Sequence, residues 1–310
     1  MSHAVTLKQL RYLVAVADTL HFGKAADAAN ISQPSLSAQI QQLEEALGAQ
    51  LVERTKRRVL LTPAGTEVTA RARRILAEVR DLTDSVQGKA GPLAGDLRLG
   101  VIPTVGPFLL PRVLPSLRRT YPDLRLYLRE DQTERLAERL KTGDLDALLL
   151  AMPVDEPSFE VDPLFDESFV VALPAGHRLA ARNQVTESDL AGEHLLLLED
   201  GHCFREQALA ICNNPRPRER ERESFAATSL DTLREMVASR IGITLLPALS
   251  VTGASAPNGS IEIRPFARPC PSRRIALAWR REAARTAEFR ILAQFLRDNL
   301  PLGADALGQG

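Results

Sequence analysis

The sequence predicts an α/β fold in three parts: a winged helix-turn-helix, a long linker helix, and a two-lobed domain of alternating strands and helices. Three observations predict it. Residues 7–47 hold three helix-period apolar patterns joined by short turns, and two short apolar runs around a basic turn follow. One uninterrupted amphipathic pattern then runs from Pro63 to the breaker "GKAGPLAGD". From Asp96 onward, β-type runs such as "DLRLGVI" alternate with helical ones such as "PFLLPRVLPSLRRTYP". A chain of 310 residues is long for one core, so division is expected at 1–62, 63–90 and 91–302, with a tail at 303–310.

Composition excludes several classes. With 45% hydrophobic and 25% charged residues the chain is ordinary soluble material. No apolar run is long enough to span a bilayer, and no basic flank with an apolar h-region opens the chain, so a cytoplasmic location is expected. Three cysteines are too few for a secreted disulfide scaffold, and any cystine here is expected to be transient or redox-sensing. Lys plus Arg and Asp plus Glu number 39 each, so only the distribution of charge can point to a nucleic-acid partner.

The first helix starts at a Thr6 cap, with Leu7, Leu10, Leu13, Val14 and Ala17 on one face. A short alanine-rich helix follows over Lys24 to Ala29, then a turn through Asn30 and Ile31. A third helix is capped by Ser32, and Leu36, Ile40, Leu43 and Leu47 are spaced for burial. Gln33, Ser35, Ser37, Gln39 and Gln41 are left on its remaining surface as small polar groups able to bond phosphates and base edges in a major groove, with Pro34 among the residues expected to lie against the DNA. The run "QLVERTKRRVLLTPAG" reads as a wing, with Arg54, Lys56, Arg57 and Arg58 set beside a duplex backbone. Four cations in a turn are more often a solvated surface, but behind a helix-turn-helix pattern DNA contact is the better reading.

Thr62 then caps a helix with Pro63 at its first position. Val68, Ile75, Leu76, Val79, Leu82 and Val86 form a near-heptad seam along it. Nothing else in the segment would cover such a seam, so self-association through this helix is expected rather than packing on its own domain.

The stretch from "LRYLVAVADTL" to "VLLTPAG" resembles the N-terminal domain of LysR-type transcriptional regulators. The resemblance implies double-stranded promoter DNA as partner, a dimer through the linker helix, and a regulatory domain of the periplasmic-binding-protein-like, Rossmann-type architecture. Its first lobe falls at about 93–165 and 268–302, and its second at about 166–267.

Within that domain the strands are expected to be mostly parallel, with chain crossovers near Leu164 to Ser168 and Phe266 to Arg274. Ligands of such sheets bind beyond the strand carboxyl ends. Four strand-to-helix junctions carry a hydroxyl or thiol there: Thr104, Thr133, Thr228 with Ser229, and Cys203. Each alone would be no more than a helix cap, and it is their convergence that points to a site. No metal-ligand spacing, phosphate loop or hydrolytic triad is present in the sequence, so no metal or cofactor is expected.

Cys203 and Cys212 lie nine positions apart on a segment that reads as helix. Nine helical residues rise ~13.5 Å, whereas a disulfide needs Cα atoms within about 7 Å. A bond between them and a continuous helix are therefore mutually exclusive. Cys203 sits at the expected helix N-terminus beside His202 and Arg205, influences that favour a reactive thiolate. Cys212 precedes the charged loop "NNPRPRERERE". The plainer reading of any cysteine is a small buried hydrophobe, and it is kept for Cys270.

From near Leu7 to the final strand the chain closely resembles, within the LysR-type regulators, the OxyR hydrogen-peroxide sensors. The likeness is carried by "IPTVGP", "DQT", "LEDGHC" with its second cysteine, "ATSLDTLREMV", "GITLLPAL" and "RRIAL". The resemblance implies a non-enzymatic activator of oxidative-stress genes, tetrameric when oxidised, with Cys203 as the peroxidatic and Cys212 as the resolving thiol. It implies that Thr104, Thr133, His202 and Arg274 line the peroxide site, and that RNA polymerase and a thiol reductant are further partners. Two departures stand out: the Arg/Glu-rich loop after Cys212, and Arg240 where glycine is expected. The competing readings are a regulator answering a small anionic metabolite in the same cleft and, from another class, a thiol peroxidase.

Overall fold

Three short helices open the chain: α1 (Leu7–Thr19), α2 (Phe22–Ala28) and α3 (Gln33–Leu47). They belong to a computed structural model that describes residues 5–54, 58–86, 91–212, 227–251, 259–301 and 305–306. Thr6 and Gln9 exchange side-chain-to-backbone bonds of 3.3 and 3.0 Å, a capping box that starts α1. The second helix begins two residues earlier than expected because the His21 ring caps it, Nδ1 accepting from the Gly23 and Lys24 amides. Ser32 caps α3 as expected, and Gly48 ends it at φ 65°. Leu36, Ile40 and Leu43 join Leu13 and Val16 in a core. Leu47, expected inside, is 42% exposed because the helix ends there, beyond the facing helices.

Strands β1 (Val52–Arg54) and β2 (Val59–Leu61) pair antiparallel as the wing. The Glu44 carboxylate accepts from the Leu51 and Val52 amides at 2.8 and 3.0 Å and ties the wing to α3. Helix α4 (Pro63–Val86) starts at Thr62, whose hydroxyl accepts from the Gly65 amide. The expected seam divides: Val68 and Leu76 pack on the core of their own domain, while Ile75 and Leu82 are 44% and 66% exposed. The chain separates into two units, Met1–Gly88 with Arg139–Asp144, and Lys89–Glu138 with Leu145–Gly310, so α4 belongs with the helices that precede it.

In the second unit, β3 (Gly95–Val101) lies parallel between β4 (Leu124–Glu130) and β5 (Ala147–Ala151). Helices α5 (Gly106–Thr120) and α6 (Thr133–Lys141) make the connections. Strand β9 (Ser272–Arg280) then pairs antiparallel with β5, and β6 (Phe159–Pro174) pairs antiparallel with β9. The far half of β6 pairs antiparallel with β7 (Thr244–Pro247) and β8 (Ile261–Pro265).

The expectation of a mostly parallel sheet is thus corrected. The outgoing and returning crossovers are themselves strands, β6 and β9, and they run against their neighbours. Of β6 only "SFVVALP" reads as a strand in the sequence; Pro163, in its first half, is accommodated at a register shift between Pro163 and Phe165. The run "HLLLLED" forms only isolated parallel bridges, Leu195 to Ile243 and Leu198 to Ala227. The expected tail holds a short strand, β10 (Asp305–Ala306), paired with β6 at Asp166 and Phe165.

Helix α10 (Thr286–Asp298) covers the first sheet, where Trp279 and Phe289 are fully buried. A second apolar cluster gathers β7, α7 (Cys203–Ile211), α8 (Leu230–Ala238) and Phe169 of β6. The short helix α9 (Ala248–Val251) follows β7 directly.

Candidate peroxide-reactive site

A buried ion pair anchors the site. Arg273 and Glu167 face each other across β9 and β6, with side-chain exposures of 1% and 0% and an N to O distance of 2.7 Å. The other Glu167 oxygen accepts from the Leu249 amide at 3.0 Å. Arg273 also donates to the Thr104 hydroxyl and carbonyl at 2.8 and 2.9 Å, and its guanidinium lies 5.3 Å from the centre of the Phe204 ring. Such a pair survives burial only because it is so fully bonded. Since the Thr104 oxygen accepts from Arg273, its own O–H is left to donate.

Arg274, assigned to the site from the sequence, does not reach it. Consecutive strand residues point to opposite faces, so Arg274 is exposed and grips Asp166 at 2.8 and 2.9 Å instead. The arginine facing Thr104 is its neighbour, Arg273.

Thr133 is the first residue of α6, and its hydroxyl oxygen is buried with no hydrogen-bond partner in the structure. Cys203 is the first residue of α7, and His202 occupies the cap position without a side-chain cap bond. His202 is 7% exposed, and burial pushes its pKa down against a weaker opposing pull from Glu199, so the ring is neutral near pH 7. It therefore presents a neutral imidazole at the residue before Cys203. Arg205 is turned away as well, held by the Leu198 carbonyl and the Asp200 carboxylate, both at 2.9 Å. One turn beyond Cys203, Gln207 reaches toward the Met152 carbonyl while its own amide oxygen is buried without a partner.

Thr104, Thr133, His202 and Cys203 come together with Ile102, Pro103, Gln132 and Phe204 around one small cavity. Three of the four expected junctions therefore converge. The fourth does not: Ser229 caps α8 by accepting from the Thr232 amide at 3.1 Å. Gln132, Arg273 and Glu167 were not singled out from the sequence. The only available signal was the "DE" and "RR" dipeptides, which become opposing pairs in β6 and β9.

All three cysteines are free thiols, and Cys203 and Cys212 mark the two ends of an unbroken α7. Cys212 packs against the second apolar cluster, and burial, with a smaller contribution from Glu187, pushes its thiol up to about 11. Cys270 packs against the same cluster beside the Phe169 and Pro271 carbonyls.

On the other unit, Gln33, Pro34 and Ser35 are exposed at the start of α3, and Ser37 and Gln39 are half-buried. Ser35 shares a 2.7 Å bond with Ser32, and Gln39 donates to Gln42 at 3.1 Å. Arg58 is exposed beside β2. The side chain of Arg54, together with Lys56 and Arg57, lies outside the described residues. Among the described residues no helix is long and apolar enough to cross a membrane.

Comparison with known proteins agrees with this division. Residues 7–66 match the bacterial regulatory helix-turn-helix proteins of the lysR family, and residues 90–301 match the LysR substrate binding domain. These matches define a DNA-binding transcriptional regulator rather than an enzyme. The chain is 45% identical over 296 residues to the hydrogen peroxide-inducible genes activator of Pectobacterium carotovorum subsp. carotovorum, covering 96% of this chain and 97% of that protein. A full-length OxyR cysteine-to-aspartate variant from Pseudomonas aeruginosa is 38% identical, with a TM-score of 0.82 and 99% of each chain covered. A hydrogen-peroxide-bound cysteine-to-serine variant of Corynebacterium glutamicum OxyR is 34% identical, with a TM-score of 0.65, covering 96% of this chain and 94% of that one. The chain belongs to the LysR family, in its OxyR branch.

Proposed function

We propose that the chain senses hydrogen peroxide through a reversible Cys203–Cys212 disulfide and activates oxidative-stress defence genes. The observation that carries this reading is the cavity at Cys203. It is small, lined by the Thr104 and Thr133 hydroxyls and a neutral His202, and it contains a buried hydroxyl oxygen with no partner. A lining of two hydroxyls, an imidazole and a thiol, with no lysine or arginine in it, suits peroxide and disfavours an anionic metabolite. Peroxide bound to an OxyR relative supports the same reading.

In the first step the Cys203 thiolate forms an S–O bond as the peroxide O–O bond breaks, and the departing hydroxide takes a proton and leaves as water. The hydroxyls and the imidazole orient the oxygens and stabilise the leaving group. In the second step the Cys212 sulfur attacks the sulfenic acid, an S–S bond forms, the S–O bond breaks and a second water departs. Two thiols have then supplied two electrons. Cys212 cannot reach Cys203 while α7 is intact, so bond formation unwinds the helix and changes the regulatory domain.

The regulator works in the cytoplasm on promoter DNA, contacting it through Gln33, Pro34, Ser35, Ser37, Gln39 and the wing cations Arg54, Lys56, Arg57 and Arg58. It pairs with a second copy through the exposed Ile75 and Leu82 and assembles as a tetramer. RNA polymerase receives its signal, and a thiol reductant resets it. Mass measurement of the peroxide-treated protein tests the core claim: a loss of two hydrogens, mapped to the Cys203 and Cys212 peptides, is expected. An unchanged promoter response to peroxide in Cys203→Ser would refute it.

A further inference from the structure

Gln132 ends the link between β4 and α6, at the rim of the cavity, and is separated by 67 positions from Glu199. Its Nε2 donates to the Glu199 carboxylate and to the Asp200 carbonyl, each at 3.3 Å. The same Glu199 oxygen lies 3.8 Å from Nε2 of His202. Gly201, next in the chain, has φ +93°, and a Cβ there would come 2.7 Å from the Gln132 amide oxygen. Only glycine both adopts that turn and lets the amide lie flat against the backbone.

We infer that Gln132 and Glu199 form a clasp that positions Cys203 for reaction: Gln132 fastens the turn leading into α7, and Glu199 is the acceptor that holds it there. The start of α6, which carries Thr133, is thereby held at a fixed place relative to the start of α7, which carries Cys203. Neither clasp residue exchanges a proton or an electron with peroxide. Both act through the placement of the cavity lining, where small displacements are costly to rate. The inference rests on the reading of Cys203 as the peroxide-reactive thiol.

The experiment uses the full-length reduced protein and follows Cys203 oxidation by hydrogen peroxide, with alkylation by iodoacetamide and the urea midpoint measured alongside. Gln132→Glu sets two carboxylates against each other, and Gln132→Ala removes the donor. Each is expected to slow oxidation about tenfold or more, with the alkylation rate held within about twofold and the urea midpoint unchanged. Combining Gln132→Glu with Glu199→Gln relieves the carboxylate clash and exchanges donor and acceptor in one of the two bonds, and is expected to recover part of the lost rate. Oxidation of both single variants at the parent rate, or a double variant as slow as Gln132→Glu, overturns the clasp. A parent protein whose Cys203 resists peroxide altogether overturns the sensing reading itself, and the clasp with it.

Discussion

The Arg273 guanidinium rests against the ring of Phe204, 5.3 Å from its centre, while its nitrogens hold Glu167 and Thr104. Phe204 is the second residue of α7 and is 2% exposed. The helix bearing Cys203 is therefore docked on the same arginine that orients the Thr104 hydroxyl, and undocking that helix strips one face from a buried ion pair.

Removing the ring should favour the bridged form. Phe204→Ala is expected to destabilise the docked helix by about 3 kcal/mol. That loss falls on the dithiol form alone if the bridged form has already released the ring, which corresponds to a reduction potential more negative by roughly 60 mV. Equilibration with glutathione buffers, read by mass, measures the shift, and an unaltered potential would show that the ring is not part of the switch.

Breaking the ion pair should cost stability first. Arg273→Ala leaves Glu167 charged, buried and without its main partner, a loss of about 3–5 kcal/mol, visible as a lower urea midpoint. Adding Glu167→Gln should recover part of it. Arg274→Ala, which removes only a pair at the surface, should leave the urea midpoint close to that of the parent.

The buried Cys212 thiol gives α7 a defined dependence on alkali. Burial raises its pKa from the ordinary 9.0 to about 11, so the docked helix binds the proton more tightly than the unwound segment does. Its contribution to docking is complete below pH 9 and disappears as pH rises through about 11. In a Cys203→Ser, Cys270→Ser protein, alkylation of Cys212 should reach half its maximum near the higher value when folded and near the lower one in urea. Coincident curves would rule out burial of the thiol.

Arg240 follows α8 at φ 60°, a left-handed conformation, and donates to the Ala175 carbonyl at 3.2 Å. The backbone cost for a residue other than glycine is about 1–2 kcal/mol, and an exposed bond returns roughly half a kilocalorie of it. Arg240→Gly is expected to raise stability by about 0.5–1 kcal/mol, or roughly 2 °C in melting temperature.

Pairing through α4 predicts that charge on its exposed face dissociates the protein. Leu82→Glu and Ile75→Glu should each weaken self-association at least about tenfold, measured by sedimentation equilibrium, with the helix content unchanged. Continued association of the doubly substituted chain would place the contact elsewhere.

Much of the architecture could be read from the residues. Thr6, Ser32 and Thr62 cap the helices they were expected to cap, and Cys203 and Cys212 bound the helix that separates them. The failures share one cause, the absence of phase information. From Ile275 to Trp279, β9 is apolar on both faces, so no alternation tells which of Arg273 and Arg274 points inward. Pro163 concealed half of β6, and a histidine as helix cap is rare enough that His21 gave no signal. Gln132 is polar in a polar stretch, and its importance comes from residues 67 positions away, which no local window contains.

Strand β6 is shared, with partners in both sheets along one unbroken length. A gene fragment stopping or starting within it would leave either half with an unsatisfied ladder and an uncovered apolar surface. The two halves of the regulatory region must therefore be expressed as a single piece, and any chimaera with a relative must place its junctions outside both β6 and β9.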